Sequence, residues 1–246
     1  MAEQLARIFG TEEDRVNCSM YYKVGACRNG DQCNRFHNRP TMSQTILLSH
    51  MYANTPEALA IANDEPWDEA MYLRSQLHVE NFYQEVFTEL ANYGEIEDIV
   101  IVDNLCDHLF GNVYVKYYHE ESAEKALGKL AGRFYCGRII QAEYTTVTDF
   151  REARCRGFHE TRCNRGAYCN FVHMKHIPKA IKARVVREMY GDHPEYLDAS
   201  YWKKKKRSRS RDRDRDRDRR RRDDDRGRRR RDDDQNGNTA AIEWNS

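Results

Sequence analysis

The chain has 246 residues, with 41 Lys and Arg against 40 Asp and Glu and a net charge of +1. That length allows one or two domains, and no run of 18 apolar residues is available to cross a membrane. The N-terminal residues lack the basic and apolar regions of a secretory signal, so the eight cysteines are expected to be reduced thiols or metal ligands in a cytosolic or nuclear protein.

The near-zero net charge hides a segregation. Residues 15–39 hold 5 basic and 1 acidic residue, and residues 151–187 hold 10 and 2. Residues 203–234 hold 19 Lys and Arg against 10 Asp, a net +9. Between the first two segments, residues 40–150 hold 6 basic and 18 acidic residues, a net −12. A polyanion would therefore be met by the flanking segments and repelled by the middle.

In chain order, residues 12–40 carry Cys18-x8-Cys27-x5-Cys33-x3-His37. Three thiolates and one imidazole make a complete tetrahedral shell for zinc, a closed structural site with no open catalytic position. Around these ligands stand Tyr21, Tyr22, Lys23, Arg28, Asn34, Arg35 and Phe36. Rings interleaved with cations suit single-stranded RNA, whose bases stack on aromatic and guanidinium planes. Tyr22, Lys23, Arg28, Asn34 and Arg35 are the candidate RNA contacts; Phe36, beside the ligand histidine, is either a contact or packing for the metal site.

Residues 43–147 predict a separate domain of the α+β class. Residues 43–52 read as a buried strand and 53–66 as a connecting loop. Trp67 to Leu90 reads as a helix from the spacing of Val79, Phe82, Val86, Phe87 and Leu90, and Gly94 stops it. Strands are expected over 95–103 and 109–118, a helix over 120–130 and a last strand over 138–144. The order β-α-β-β-α-β is that of an RNA-recognition-motif-like domain. Its RNA-reading octamer would be His108 to Val115. Phe110 fits the third position, but the normally aromatic fifth is Asn112, and the matching residue of the first strand is Leu47. A ring-poor, acidic sheet points to protein contact rather than base stacking. Glu85 and Glu89, four apart on the first helix, and the loop Arg133-Phe134-Tyr135 are the candidate partner site. They would hold a basic peptide anchored by a tryptophan. The bland alternative is a solvated helix face beside core rings. Cys106 and Cys136 are expected to be semi-buried thiols.

Residues 149–176 repeat the first spacing as Cys155-x7-Cys163-x5-Cys169-x3-His173. Two such sets in one chain imply two zinc ions, each supplying an apparent ~10–16 kcal/mol of folding free energy. Arg156, Phe158, Arg165 and Tyr168 are the RNA candidates here, with Asn170 and Phe171 nearby. The VTDFREARC segment runs directly from the last strand into this finger, which suggests rigid packing, with Tyr144 and Phe150 as expected contacts. Residues 177–202 are a linker with a short basic helix after Pro178. Residues 203–246 form a low-complexity Arg/Asp tail expected to be disordered, and Lys203–Arg207 reads as a nuclear import patch.

This sequence resembles the small subunit of the U2 snRNP auxiliary factor of pre-mRNA splicing. The resemblance covers nearly all of residues 1–187 and includes the opening MAEQLARIFGTEEDRVNCSMYYKVGACRNGDQC, EVFTEL, GNVYVK, VTDFREA and CNFVH. It implies a non-catalytic nuclear splicing factor whose two fingers together bind the AG dinucleotide at the 3′ splice site. It further implies a heterodimer, in which the central domain clasps a tryptophan-bearing peptide of a large subunit. The family's R-x-F element maps onto Arg133-Phe134-Tyr135, with Tyr135 in the usual Phe place. The tail would meet other Arg/Ser-type splicing proteins. It departs from the family in that only Ser208 and Ser210 lie among its arginines and Asp alternates instead, a fixed mixed charge with little phosphorylation switching. The alternative function is a regulator of AU-rich mRNA. Its relatives usually place such fingers in close tandem. An enzyme finds no nucleophile–base pair or acidic metal site in the sequence.

Overall fold

A computed structural model of the chain describes residues 16–63 and 65–197. They divide at His193 into two units; of the second, only Pro194–Leu197 is described, containing a single 3-10 turn. The expected Arg/Asp tail and the Lys203–Arg207 patch lie outside the described residues.

Four strands organise the first unit: β1 spans Thr45–Ser49, β2 Ile96–Ile101, β3 Val113–Tyr117 and β6 Gln141–Tyr144. They form an antiparallel sheet in the order β2-β3-β1-β6. Helix α3, Glu69–Ala91, lies between β1 and β2, and helix α4, Glu120–Leu130, between β3 and β6. The register pairs Leu47 with Tyr114 and Tyr114 with Val100. Strand alternation therefore puts these three side chains on one face. Ile46, Leu48, Ile99, Ile101, Val113 and Val115 lie on the other, toward α3 and α4. Both faces are buried: Leu47 is 2 % and Tyr114 1 % exposed, as deeply as Ile46 and Val115 at 0 %.

Several expectations are corrected. The connection read as a loop over 53–66 contains helix α2, Pro56–Ala62. Thr55 caps the helix by accepting from the Ala58 amide (3.2 Å), and Pro56 sits at the first helical position, where its fixed φ helps. The last strand is interrupted. A two-stranded hairpin of β4 (Phe134–Tyr135) and β5 (Arg138–Ile139) precedes β6. Its turn residues Cys136 and Gly137 both have positive φ, +46° and +76°, as a tight hairpin turn requires. Cys136 is consequently exposed, whereas Cys106 is semi-buried as expected. Finally, β3 begins only at Val113, because Cys106 to Asn112 fold into a turn closed by amides of Leu109 and Phe110 on the Cys106 carbonyl.

Flanking the sheet are the short helices α1 (Ser19–Val24), α5 (Phe150–Ala153) and α6 (Arg156–Glu160), followed by α7 (Lys179–Asp192). α7 is longer than the short helix expected after Pro178 and packs along α3, burying Val185 and Met189.

Two metal-ligand clusters on one sheet face

Within each Cys/His segment the four potential ligand atoms lie within 4.8 Å of one another: Cys18, Cys27, Cys33 and His37, and Cys155, Cys163, Cys169 and His173. In the second cluster the Cys155 sulfur is 3.7 Å from that of Cys163 and 3.8 Å from that of Cys169. A tetrahedron with metal–sulfur bonds of about 2.3 Å has edges of roughly 3.8 Å, whereas a disulfide would bring sulfurs to about 2.05 Å. The Nε2 atoms of His37 and His173 are buried and have no hydrogen-bond partner. Such atoms are costly unless a ligand satisfies them. The two clusters therefore fit a tetrahedral metal ion, and the donor set suits zinc.

The two fingers share an internal architecture. Each begins where an amide of the first cysteine donates to the residue before the ligand histidine: Cys18 to the Phe36 carbonyl (2.9 Å), Cys155 to that of Val172 (2.8 Å). The residue three after the first cysteine stacks flat on the histidine. Tyr21 lies 4.4 Å from His37, and Phe158 lies 4.1 Å from His173. Tyr21 is thereby buried. Phe158, expected as an RNA contact, has one face engaged by His173 and remains 38 % exposed.

Both fingers dock on the face of the sheet that carries Leu47, Val100 and Tyr114. Val24 of the first finger and Ala153 and Val172 of the second join these residues in one buried cluster, with Phe150 packed edge-on against Tyr114 at 6.1 Å. The Tyr114 hydroxyl donates to the Val24 carbonyl (2.6 Å), and the Thr146 hydroxyl donates to that of Tyr22 (2.8 Å). Gly25 has φ +78°, and a Cβ there would lie 2.4 Å from the Thr145 hydroxyl, so only glycine permits this approach. Phe150 is a contact as expected. Tyr144, paired with Ile46, belongs to the opposite face and is not.

Clasping the second finger is the loop between β2 and β3. Asn104, 0 % exposed, donates to the carbonyls of Cys169 (2.8 Å) and Phe171 (3.0 Å) and accepts from the His173 amide (2.7 Å). The sequence reading missed Asn104, since nothing local marks it as a finger contact. Asn112, the non-aromatic octamer residue, is likewise structural: it accepts from the His50 amide (3.1 Å) and donates to the His108 carbonyl (3.0 Å).

A cleft of about 430 Å³ brings together Lys23 of the first finger and Arg151, Arg154, Arg156, Arg165 and Phe171, with Glu152 as its one acidic lining residue. Arg165 is also tied to the metal cluster, donating to the Cys169 sulfur (3.3 Å), which with the thiolate charge holds its guanidinium above its ordinary pKa. Of the expected RNA contacts, Lys23, Arg156 and Arg165 line this cleft. Tyr22, Arg28, Asn34, Arg35 and Tyr168 are exposed elsewhere on the fingers. Phe158 borders a second cleft of about 680 Å³ with Arg162 and Asn164. Phe36 is 64 % exposed, so it does not serve as packing, whereas Phe171 is partly buried against the shared cluster.

On the helix side, the expected partner residues do come together. A groove of about 500 Å³ is lined by Glu85, Glu89, Leu130, Arg133, Phe134 and Tyr135. Arg133 pairs with Glu89 (2.6 Å), and this contact, with the Tyr93 hydroxyl, holds the Glu89 carboxyl below the usual carboxylate range. The Tyr135 hydroxyl donates to Glu85 (3.1 Å); burial first, then Glu85, raise its pKa. Phe134 is 68 % exposed and Tyr135 half-buried with its edge on Phe82, so Phe134 is not core.

Comparison with known proteins agrees with this geometry. Residues 82–141 match the RNA recognition motif family, a match that begins inside α3 and omits β1. The chain is 49 % identical over 197 residues to the rat splicing factor U2AF 26 kDa subunit, covering 80 % of this chain and 87 % of that protein. It is 51 % identical over 185 residues to a splicing factor U2af small subunit of Arabidopsis thaliana, covering 75 % of this chain and 65 % of that protein, just under two thirds of its length. With the Drosophila melanogaster splicing factor U2af 38 kDa subunit it shares 48 % over 188 residues, 74 % of this chain and 70 % of the other. An RNA-recognition-type sheet whose open face is closed by two Cys3His clusters, in a sequence half identical to these proteins over most of its length, belongs to the family of splicing factor U2AF small subunits.

Proposed function

We propose that this chain is a non-catalytic, nuclear splicing-factor subunit that reads the AG dinucleotide of the 3′ splice site with both fingers at once. In this reading it pairs with a large subunit through the groove beside α3. The observation that carries the reading is the basic cleft formed jointly by Lys23 from one finger and Arg156 and Arg165 from the other. With the sheet face covered by the fingers, the usual platform for stacked bases is closed, and RNA is left with the finger surfaces. Guanidinium groups can stack on bases and donate to their edges, while the exposed rings Tyr22 and Tyr168 extend the surface. Zinc, held by the two Cys3His sets, acts structurally: it closes each finger and supplies no reaction. The acidic groove, with an exposed Phe134, fits a basic peptide anchored by tryptophan.

The test uses the zinc-loaded full chain, with the large subunit's tryptophan peptide, and two short RNAs differing only by UAG changed to UCG. A loss of about 1–3 kcal/mol on the base change is expected for direct reading of a base edge. Equal binding to both RNAs would reduce the cleft to a non-specific polyanion site. A preference for UAUU-type RNA would assign the chain to the AU-rich mRNA regulators instead.

A further inference from the structure

The groove beside α3 is not built by the RNA-recognition-type domain alone. Among the residues lining it is Glu188, which lies on α7, beyond the second finger in sequence. α7 is held along α3 by Arg184, which donates to Gln84, and by the buried Val185 and Met189, while Lys182 donates to Asp98 of β2 (3.1 Å). Gln84 and Glu85 of α3 line the same groove, so the contact that fixes α7 also sets one edge of the cavity. Three carboxylates then border it: Glu85, Glu89 and Glu188. Two of these are already engaged within the groove, Glu89 by Arg133 and Glu85 by Tyr135. Glu188 is 55 % exposed, and its ion pair with Arg184 is long, 3.9 Å between exposed groups, so it contributes little to holding the carboxylate in place.

We propose that α7 is the third wall of the partner groove and that Glu188 receives a basic residue flanking the anchoring tryptophan of the large-subunit peptide. This inference rests on the partner-groove reading above. The occupant follows from complementarity: an apolar pocket with Leu130, Phe134 and Tyr135 takes the ring, and an acidic rim extended by α7 takes Lys or Arg. α7 starts six residues after the ligand His173, so a short connection joins the second finger to this wall of the groove.

The experiment titrates the zinc-loaded full chain with two synthetic peptides, one carrying a tryptophan flanked by lysines and arginines, the other the same tryptophan with neutral flanks. The substitution Glu188→Lys is expected to weaken the basic peptide by about fivefold at low salt, with the difference fading at high salt, and Glu188→Gln by about half that factor. Neither substitution should change the affinity of the neutral-flank peptide. Equal affinity of the wild-type chain and Glu188→Lys for the basic peptide would overturn the role of α7 while leaving the groove intact. Failure of the wild-type chain to bind either peptide would overturn the partner-groove reading itself, and this inference with it. A Glu188→Lys chain that loses both peptides alike would show disturbed packing of α7 rather than a lost charge contact, and would also count against the proposal.

Discussion

At the scale of single residues, the second finger depends on a side chain outside its own sequence. Asn104 is fully buried and makes three hydrogen bonds to the backbone between Cys169 and His173. Replacing it by alanine would leave the Phe171 carbonyl and the His173 amide without these partners and the Cys169 carbonyl with only the Cys106 thiol. The expected outcome for Asn104→Ala is a loss of about 3 kcal/mol of stability, measured by chemical denaturation. Zinc should also leave the second site well before the first in a chelator competition, because these three bonds all reach the second finger. Equal release from both sites would show that the finger folds around its metal without help from the β2–β3 loop.

Among the elements, the β2–β3 loop reaches the first finger too. His108 is half-buried with its Nε2 unpartnered, and burial, followed by the nearby Arg28 charge, lowers its pKa from the ordinary 6.5. Asp107 opposes this more weakly. A histidine with a depressed folded pKa stays neutral in the folded chain while the unfolded chain takes up a proton. Stability is thus fully present above about pH 6.5 and falls as the pH drops toward the folded value. His108→Gln removes this proton uptake and should give a flatter dependence of the unfolding midpoint on pH between about 7.5 and 6. An unchanged slope would place the acid sensitivity elsewhere.

Much at this scale was legible in the sequence. The ligand spacings gave both clusters, and helix α4 coincides with the 120–130 expected from its pattern. What escaped was non-local or ambiguous. Helix α2 was hidden because Thr55 and Pro56 suit a loop as well as a capped helix start. The docking of both fingers on Leu47 and Tyr114 could not be read from spacing, because a buried strand with apolar residues on both faces does not say what covers the second one. Likewise Glu188 lies about a hundred residues from Glu85 and Glu89, and only the packing of α7 on α3 unites them.

Across the whole first unit, the sheet acts as a platform that holds two small Cys3His modules side by side. The central segment carries a net charge of −12, so an isolated finger would present RNA with a cationic patch beside an acidic neighbour. Bringing Lys23 next to Arg156 and Arg165 concentrates positive charge in one cleft, and each finger supplies only part of it. Binding should therefore fail, not halve, when either finger is lost. Cys33→Ala and Cys169→Ala are each expected to abolish binding to a UAG-containing RNA in a fluorescence titration, and metal chelation should do the same. Independent fingers would instead leave substantial residual binding in each single variant. The partner groove supplies the control for folding. Cys33→Ala disrupts a finger that contributes no residue to the groove and should retain peptide affinity, whereas Cys169→Ala loosens the finger that leads into α7 and should weaken the basic peptide. Loss of RNA binding with peptide binding intact in Cys33→Ala would place the defect in the shared cleft, and not in the fold of the chain.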